Sequence, residues 1–252
     1  MENLTIIICS FNEERTICDV VKACRLYNEG SEIIVVDDGS RDNTEQLLLN
    51  LNKSIEFNYL KLPENRGKSH AMAIGVENAS NDIIMFFDAD SLGIKKEHFV
   101  DLLLPVKENK ADMVLGHTAA TFINVKLTPF KAFTGERVLH KKDILPLLDE
   151  IRNTRFGIET YINLYYQTHE KRIKYVYLEG LRTLTKYEKT TLFEATRQYF
   201  SEGHEIASAI LKNYDSIFKI AKSSLSDTNE NMKKKLSVFQ QNFNKRIHRL
   251  DV

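Results

Sequence analysis

Two carboxylates two positions apart, Asp88 and Asp90, close a short apolar run, Ile83 to Phe87, in the stretch NDIIMFFDADS. The run is too short for a buried helix and suits a strand covered on both faces. Where such a strand meets solvent, neighbouring carboxylates repel each other and lose hydration, and a divalent cation removes that cost. Oxygen-only ligands in small number suit Mg2+ or Mn2+ shared with a phosphate-bearing substrate. In open α/β sheets ligands collect outside the carboxyl ends of strands, which is where these aspartates fall. Taken alone, the pair reads equally well as a solvated turn with an Asp capping a helix over Lys95 to Leu104. The residues that precede it shift the balance.

Apolar runs that break into polar chemistry occur twice earlier in the chain. Leu4 to Cys9 is β-rich and leads into Ser10-Phe11-Asn12-Glu13-Glu14. Ser10 or Asn12 is placed to cap a helix, and the glutamates favour its positive end. Glu32 to Val36 ends in Asp37-Asp38-Gly39-Ser40, a turn able to approach a ligand closely. Between these lie amphipathic helices. One carries Ile17, Val20, Val21, Cys24 and Leu26 and stops at Asn28-Glu29-Gly30. A second runs through Gln46 to Leu51, with Asp42 and Thr44 as cap candidates. A third strand is expected over Ile55 to Leu60, then the loop Pro63 to Lys68 and a helix from Ser69 to Asn78. The first ninety residues thus read β-α-β-α-β-α-β, a mostly parallel sheet with helices on both faces. No Gly-x-Gly-x-x-Gly follows the first strand, which disfavours a dinucleotide fold of the dehydrogenase type, and there is no phosphate loop of the Walker type.

The second half is less regular. A helix over roughly Lys95 to Asn109 leads to a strand from Asp112 to His117. Thr118 to Phe133 reads as irregular. Gly135-Glu136-Arg137 starts a short element, Lys141 to Ile151 is expected as a helix, and Phe156-Gly157-Ile158-Glu159 opens an aromatic-rich helix through Tyr165. Ile173 to Leu178 is a strand, and the pattern is helical from Thr190 onward.

The 252 residues suffice for one large domain or a domain with an appendage. Basic and acidic residues balance at 35 each, so no global field favours nucleic acid, and no nucleic-acid motif is present. No apolar run approaches the roughly 18 residues of a membrane span. The N-terminus has no basic n-region and reads as a first strand, not as a signal peptide. Cys9, Cys18 and Cys24 form no Cys-x-x-Cys, and a reduced, cytoplasmic protein with structural thiols is expected.

The ordered set CSFNEE, VVDDGSRDNT, NRGKSHAMAIGVENA and FFDADS resembles the family 2 glycosyltransferases of the GT-A fold over about the first 120 residues. Each motif is weak alone, and the four in order are specific. The resemblance implies a nucleotide-diphosphosugar donor, with a UDP-sugar favoured over a GDP-sugar. It implies that Ser10, Phe11, Asn12 and Glu13 line the nucleotide pocket. Asp38, or less favourably Asp37, would bond the base, and Arg66, Gly67 and Lys68 would lie near the base or diphosphate. In Asp88-Ala89-Asp90, Asp88 would meet the ribose or the metal and Asp90 would ligate the metal. Ser10-Phe11 departs from the commoner proline-then-tyrosine pairing.

Further on, GERVLHKKDILPLL and FGIETYIN resemble polyprenyl-phosphate sugar synthases and glucosyl-3-phosphoglycerate synthases. That implies acceptor or donor-sugar contacts from Gly135, Glu136 and Arg137, with Glu159 as general base or sugar-hydroxyl partner. Glu159 at a helix start is also readable as an ordinary N-terminal charge. In LEGLRTLTKYEK, Arg182, Lys186 and Lys189 are placed to clamp a diphosphate. Some relatives have a metal-ligating histidine there. This chain has Thr183, which leaves His117 and His140 as candidates, although lone histidines are more often structural.

Lys233, Lys234, Lys235, Lys245, Arg246 and Arg249, interleaved with Leu236, Phe239, Phe243 and Ile247, make a basic amphipathic C-terminal stretch. A helix packing its apolar side on the body is the favoured reading. Docking on anionic lipid at the inner face of a membrane and a homodimer contact are the other two. The expected organisation is a GT-A domain over 1–189, divided into a nucleotide-sugar half (1–117) and an acceptor half (118–189), with a helical extension over 190–252. The expected activity is metal-dependent transfer of a sugar to a sugar, lipid-linked or small phosphorylated acceptor, such as a cell-envelope glycan precursor. The competing readings are a sugar-phosphate nucleotidyltransferase, which would need a glycine-rich basic loop after the first strand, and a non-enzymatic sugar-nucleotide-binding protein.

Overall fold

The computed structural model describes residues 3–118, 135–152 and 158–183. The expectations for Thr118 to Phe133 (beyond its first residue), Phe156-Gly157, Lys186, Lys189 and the C-terminal stretch lie outside the described residues.

Strands β1 (Leu4–Ser10), β2 (Glu32–Asp37), β3 (Asn58–Lys61) and β4 (Ile83–Phe86) alternate with helices α1 (Ile17–Tyr27), α2 (Thr44–Leu51) and α3 (Lys68–Asn78). All four strands run parallel, with β1 between β2 and β4. Their near-continuous apolar sequences follow from burial on both faces. Leu4, Ile6 and Ile8 of β1 enter one core with Val20 and Cys24 of α1 and Leu48 of α2. Ile7, one residue out of phase, enters the other core with Ala71, Ala73 and Val76 of α3. Such two-sided burial is what makes parallel strands lose the apolar-polar alternation of a half-exposed sheet.

After β4 come a two-residue strand β5 (Ser91–Leu92), α4 (Lys96–Lys107), β6 (Met113–His117), β7 (Arg137–His140), α5 (Lys141–Ile144), a 3-10 turn (Leu145–Leu147), α6 (Leu148–Arg152), α7 (Ile158–Thr168), β8 (Ile173–Tyr177) and β9 (Arg182–Thr183). The seven-stranded sheet has the order β3-β2-β1-β4-β7-β6-β8, and β5 pairs with β9 separately. β7 is antiparallel to both its neighbours, whereas β8 is parallel to β6. Phe99 of α4 stacks on Phe87 with ring centroids 5.1 Å apart, which fixes α4 beneath the end of β4.

Several expectations need correction. The third strand is Asn58–Lys61 and not Ile55 to Leu60, because Ile55 N–H still bonds to Leu51 O as the last turn closing α2. The helix expected over Lys141 to Ile151 is broken into α5, a 3-10 turn and α6, since Pro146 cannot donate within a continuous helix. Neither Ser10 nor Asn12 caps α1, which begins at Ile17 after Thr16; the Asn12 side chain bonds Arg41 N–H instead. The short element from Gly135 is a central strand of the sheet. Among the described residues no helix is long and apolar enough to cross a membrane.

Candidate active site

The loops after β1 and β2 are laced together. Asn12 has φ +56, a left-handed conformation that Asn tolerates better than most residues. Its N–H donates to Ser40 Oγ at 2.9 Å, and its Oδ1 accepts from Arg41 N–H at 2.8 Å. Glu13 N–H donates to Thr44 Oγ1 at 2.9 Å, and Glu14 Oε2 accepts from Asn43 N–H at 3.0 Å. Phe11 stands out of this lattice with 40% of its surface exposed. The SFNEE and DDGSRDNT motifs therefore form one surface at the carboxyl ends of β1 and β2.

A third loop is tied to that surface by the paired aspartates. Asp37 is fully buried; its Oδ1 accepts from Ser40 N–H at 2.8 Å and its Oδ2 from Tyr59 Oη at 2.9 Å. Asp38 Oδ1 accepts from Arg66 N–H at 2.9 Å and Oδ2 from Gly67 N–H at 2.8 Å. Burial pushes the Asp38 carboxyl up, and those two N–H donors work against it. Gly39 lets the third loop come close, since a Cβ there would meet the Glu64 carbonyl carbon at 2.7 Å. Gly67, with φ +95, turns the chain into α3.

Lys68 is the first residue of α3, and its Nζ lies 2.8 Å from Asp88 Oδ1 and 2.9 Å from Glu159 Oε1. Three segments distant in sequence, the loop before α3, the end of β4 and the start of α7, converge on this ammonium. Burial acts to lower the Lys68 pKa, but Asp88 and Glu159 outweigh it and hold the group well above its ordinary value. Burial acts to raise the Glu159 carboxyl, and Lys68 and Arg137 hold it below its ordinary value. Arg137 is fully buried in β7. Its Nη1 makes long contacts of 3.5 Å to Glu159 O and 3.4 Å to Asn163 Oδ1. Burial lowers the Arg137 pKa, against the fields of Glu159, Asp88 and Glu136.

The neighbouring acids extend this group. Ala89 is buried, and Ser91, immediately after Asp90, donates its hydroxyl to Glu136 Oε1 at 2.9 Å. Leu92 pairs with Arg182, so the strap after β8 runs beside the segment that carries Asp88 and Asp90. Sequence reasoning missed His98, which secures that strap. Its Nδ1 accepts from Lys95 N–H at 3.2 Å, and its Nε2 lies 3.0 Å from Glu179 O. The only local signal was a histidine in the first turn of a helix, and its strap partner is 81 residues away.

His140 pairs with Ile83 at the beginning of β4, so it sits at the opposite end of the sheet from Asp88. His117 ends β6 at the same end as Asp88 and packs on Tyr177 with ring centroids 5.6 Å apart. Among the described residues no group of three His, Cys, Asp or Glu is arranged to hold a metal. Asp88 and Asp90 offer only carboxylate oxygens, the donor type taken by a hard cation that keeps most of its coordination for phosphate and water. Cys9 lies under this ensemble; burial pushes its thiol up to about 12, with Lys68, Asp88, Asp38 and Glu159 all near enough to act on it.

The model for the family described as glycosyl transferase family 2 matches residues 5–162. The poly-beta-1,6-N-acetyl-D-glucosamine synthase of Staphylococcus aureus (strain COL) is 38% identical over 93 residues, which is 36% of this chain and 23% of that protein. The chain thus spans about a quarter of the length of the curated relatives it matches. Glucosyl-3-phosphoglycerate synthase from Mycobacterium tuberculosis, crystallised with Mn2+, UDP and phosphoglyceric acid, superposes with a TM-score of 0.65 at 17% identity, covering 84% of this chain and 78% of that one. The same enzyme with Mg2+ and UDP gives a TM-score of 0.64 at 16% identity, covering 84% and 79%. The likeness identifies the GT-A fold.

Proposed function

We propose, since this chain belongs to glycosyl transferase family 2, that it transfers a sugar from UDP-sugar to an acceptor hydroxyl or phosphate, with Mg2+ or Mn2+ bound at Asp88 and Asp90. The observation that carries this reading is the placement of Asp88 at the carboxyl end of β4, beside Lys68 and Glu159 and next to the laced loops of β1 and β2. The structural neighbour crystallised with Mn2+ and UDP supports both the base and the metal.

The nucleotide lies on the loops of Phe11 to Glu13 and Arg66-Gly67, with Ser10, Asp37 and Asp38 buried beneath and shaping them. Asp88 and Asp90 would hold the cation, which would supply Lewis-acid stabilisation of the leaving group. Arg182, held opposite Leu92, donates to phosphate oxygens, a contact that strengthens as charge collects there. Gly135, Glu136 and Arg137 complete the acceptor side. Glu159 stays ionised between Lys68 and Arg137 and accepts from a sugar or acceptor hydroxyl. If that hydroxyl is the nucleophile, the same carboxylate takes its proton. The likeness to a synthase crystallised with phosphoglyceric acid supports trying small phosphorylated acceptors first.

The test is a thermal-shift panel of UDP, GDP, CDP and ADP and their sugars, each with and without Mn2+. Binding to the native state raises the melting temperature by linkage. A metal-dependent shift with the uridine series, followed by turnover of the responding sugar donor, is the expected result. Absence of any shift together with absence of donor turnover overturns the proposal.

A further inference from the structure

Lys68 is anchored through its backbone and ends between two carboxylates. It follows Gly67, whose N–H is held by Asp38 at 2.8 Å, and its side chain keeps 35% of its surface exposed. The ammonium occupies the side of Asp88 that faces Glu159, at 2.8 Å and 2.9 Å from the two carboxylates. On another side Asp88 is packed against Gly135 so closely that a Cβ there would overlap its carboxylate. Asp88 therefore cannot retreat from Lys68 by turning toward β7.

A divalent cation reaching Asp88 by itself would place a second positive charge on a carboxylate already paired with an ammonium. A cation arriving with a diphosphate brings the anion to which that ammonium can turn, and the flexible stem of lysine allows the move. We infer that Lys68 couples the metal to the donor: it opposes metal binding while the donor is absent and passes to the donor's phosphate oxygens when both are present. This rests on the reading of the site as one for UDP and a divalent cation. Such coupling is reciprocal, so the metal must tighten UDP binding by the same factor as UDP tightens the metal.

The experiment measures free Mn2+ by its electron paramagnetic resonance signal, titrating full-length wild type, Lys68→Met and Lys68→Arg with and without UDP. In wild type, UDP is expected to tighten Mn2+ binding by a factor within about the 5- to 150-fold range of ligand coupling. In Lys68→Met, Mn2+ alone should bind more tightly than to wild type, and the UDP-dependent factor should fall by about fivefold or more. Lys68→Arg retains the charge and should keep the weak binding of metal alone, which separates the ammonium's effect from a packing defect. If Mn2+ binds Lys68→Met no more tightly than wild type while UDP still tightens it in both, the coupling role is overturned and the site reading survives. If Mn2+ binds neither protein with UDP present, both are overturned.

Discussion

The backbone of Gly135 is packed against the carboxylate of Asp88, and any Cβ at position 135 would overlap Oδ1, Cγ and Oδ2 together. Gly135 precedes β7 by two residues, and β7 pairs with β4 in antiparallel register, Phe86 opposite Arg137. The strand pairing thus brings a residue without a side chain to a place where a side chain would dislodge the acid. Gly135→Ala is expected to displace Asp88 from Lys68 and from the cation. The affinity for UDP in the presence of Mn2+ should drop by about tenfold or more, corresponding to the 1–3 kcal/mol cost of a misplaced charged hydrogen bond. Titration calorimetry with UDP and Mn2+ checks this; unchanged affinity would remove Asp88 from the donor site.

Asp38 receives two backbone N–H groups, those of Arg66 and Gly67. Removing the carboxylate by Asp38→Ala leaves both donors beside a buried void, at about 1–3 kcal/mol for each unsatisfied group. The variant should be less stable by denaturant titration, with donor affinity lowered as the loop ahead of α3 loosens. A variant as stable as wild type would mean that the loop holds its shape without Asp38.

Asp112 and Arg172 tie the start of β6 to the start of β8. Arg172 backbone N–H donates to Asp112 Oδ2 at 2.7 Å and its Nη2 to Oδ1 at 2.9 Å. The side-chain hydrogen bonds from Arg172 lead the effects that pull the Asp112 carboxyl from 3.8 to about 2. A carboxyl with a lowered folded-state pKa binds fewer protons when folded than when unfolded. Its stabilisation is therefore full above the ordinary value and is lost as pH falls from 3.8 to about 2. The melting temperature of wild type should exceed that of Asp112→Asn at neutral pH, and the gap should close across that window. A gap independent of pH would show that the clasp does not act through the carboxylate's charge.

The ends of β1, β2 and β4 were legible in the sequence because strands buried on both faces read as unbroken apolar runs, so the first polar residue after each marks the functional edge. β7 was not legible. RVLH is four residues long and begins with a charge that argues against a central strand. Arg137 is tolerated there because Glu159, Asp88 and Glu136 surround it with opposite charge, and those acids come from three separate stretches. The bridge from Lys68 to Glu159 spans 91 positions and depends on where α7 packs, which no local pattern encodes. The pairing of β5 with β9 involves two residues on each side and is equally a product of tertiary placement.

Asp90 and Glu159 are expected to fail in different ways. Asp90→Ala takes away a proposed metal ligand that is not part of the Lys68 bridge, so UDP binding should lose its dependence on Mn2+. Glu159→Gln keeps the size of the side chain and an oxygen facing Lys68, and replaces neither Asp88 nor Asp90, so donor affinity should stay within a few-fold of wild type while transfer falls by about 10²- to 10⁴-fold, the range for a lost general base. The lowered Glu159 pKa bears on the pH profile. Because Lys68 and Arg137 keep this carboxyl below its ordinary value of 4.5, it is already ionised above that pH, and kcat should show no acidic limb there that can be assigned to it. In Glu159→Gln the residual rate should have the same pH dependence as wild type above that value. Pre-steady-state measurement of a single turnover separates donor binding from transfer in both variants; full transfer by Glu159→Gln would exclude Glu159 both as base and as partner of a sugar hydroxyl.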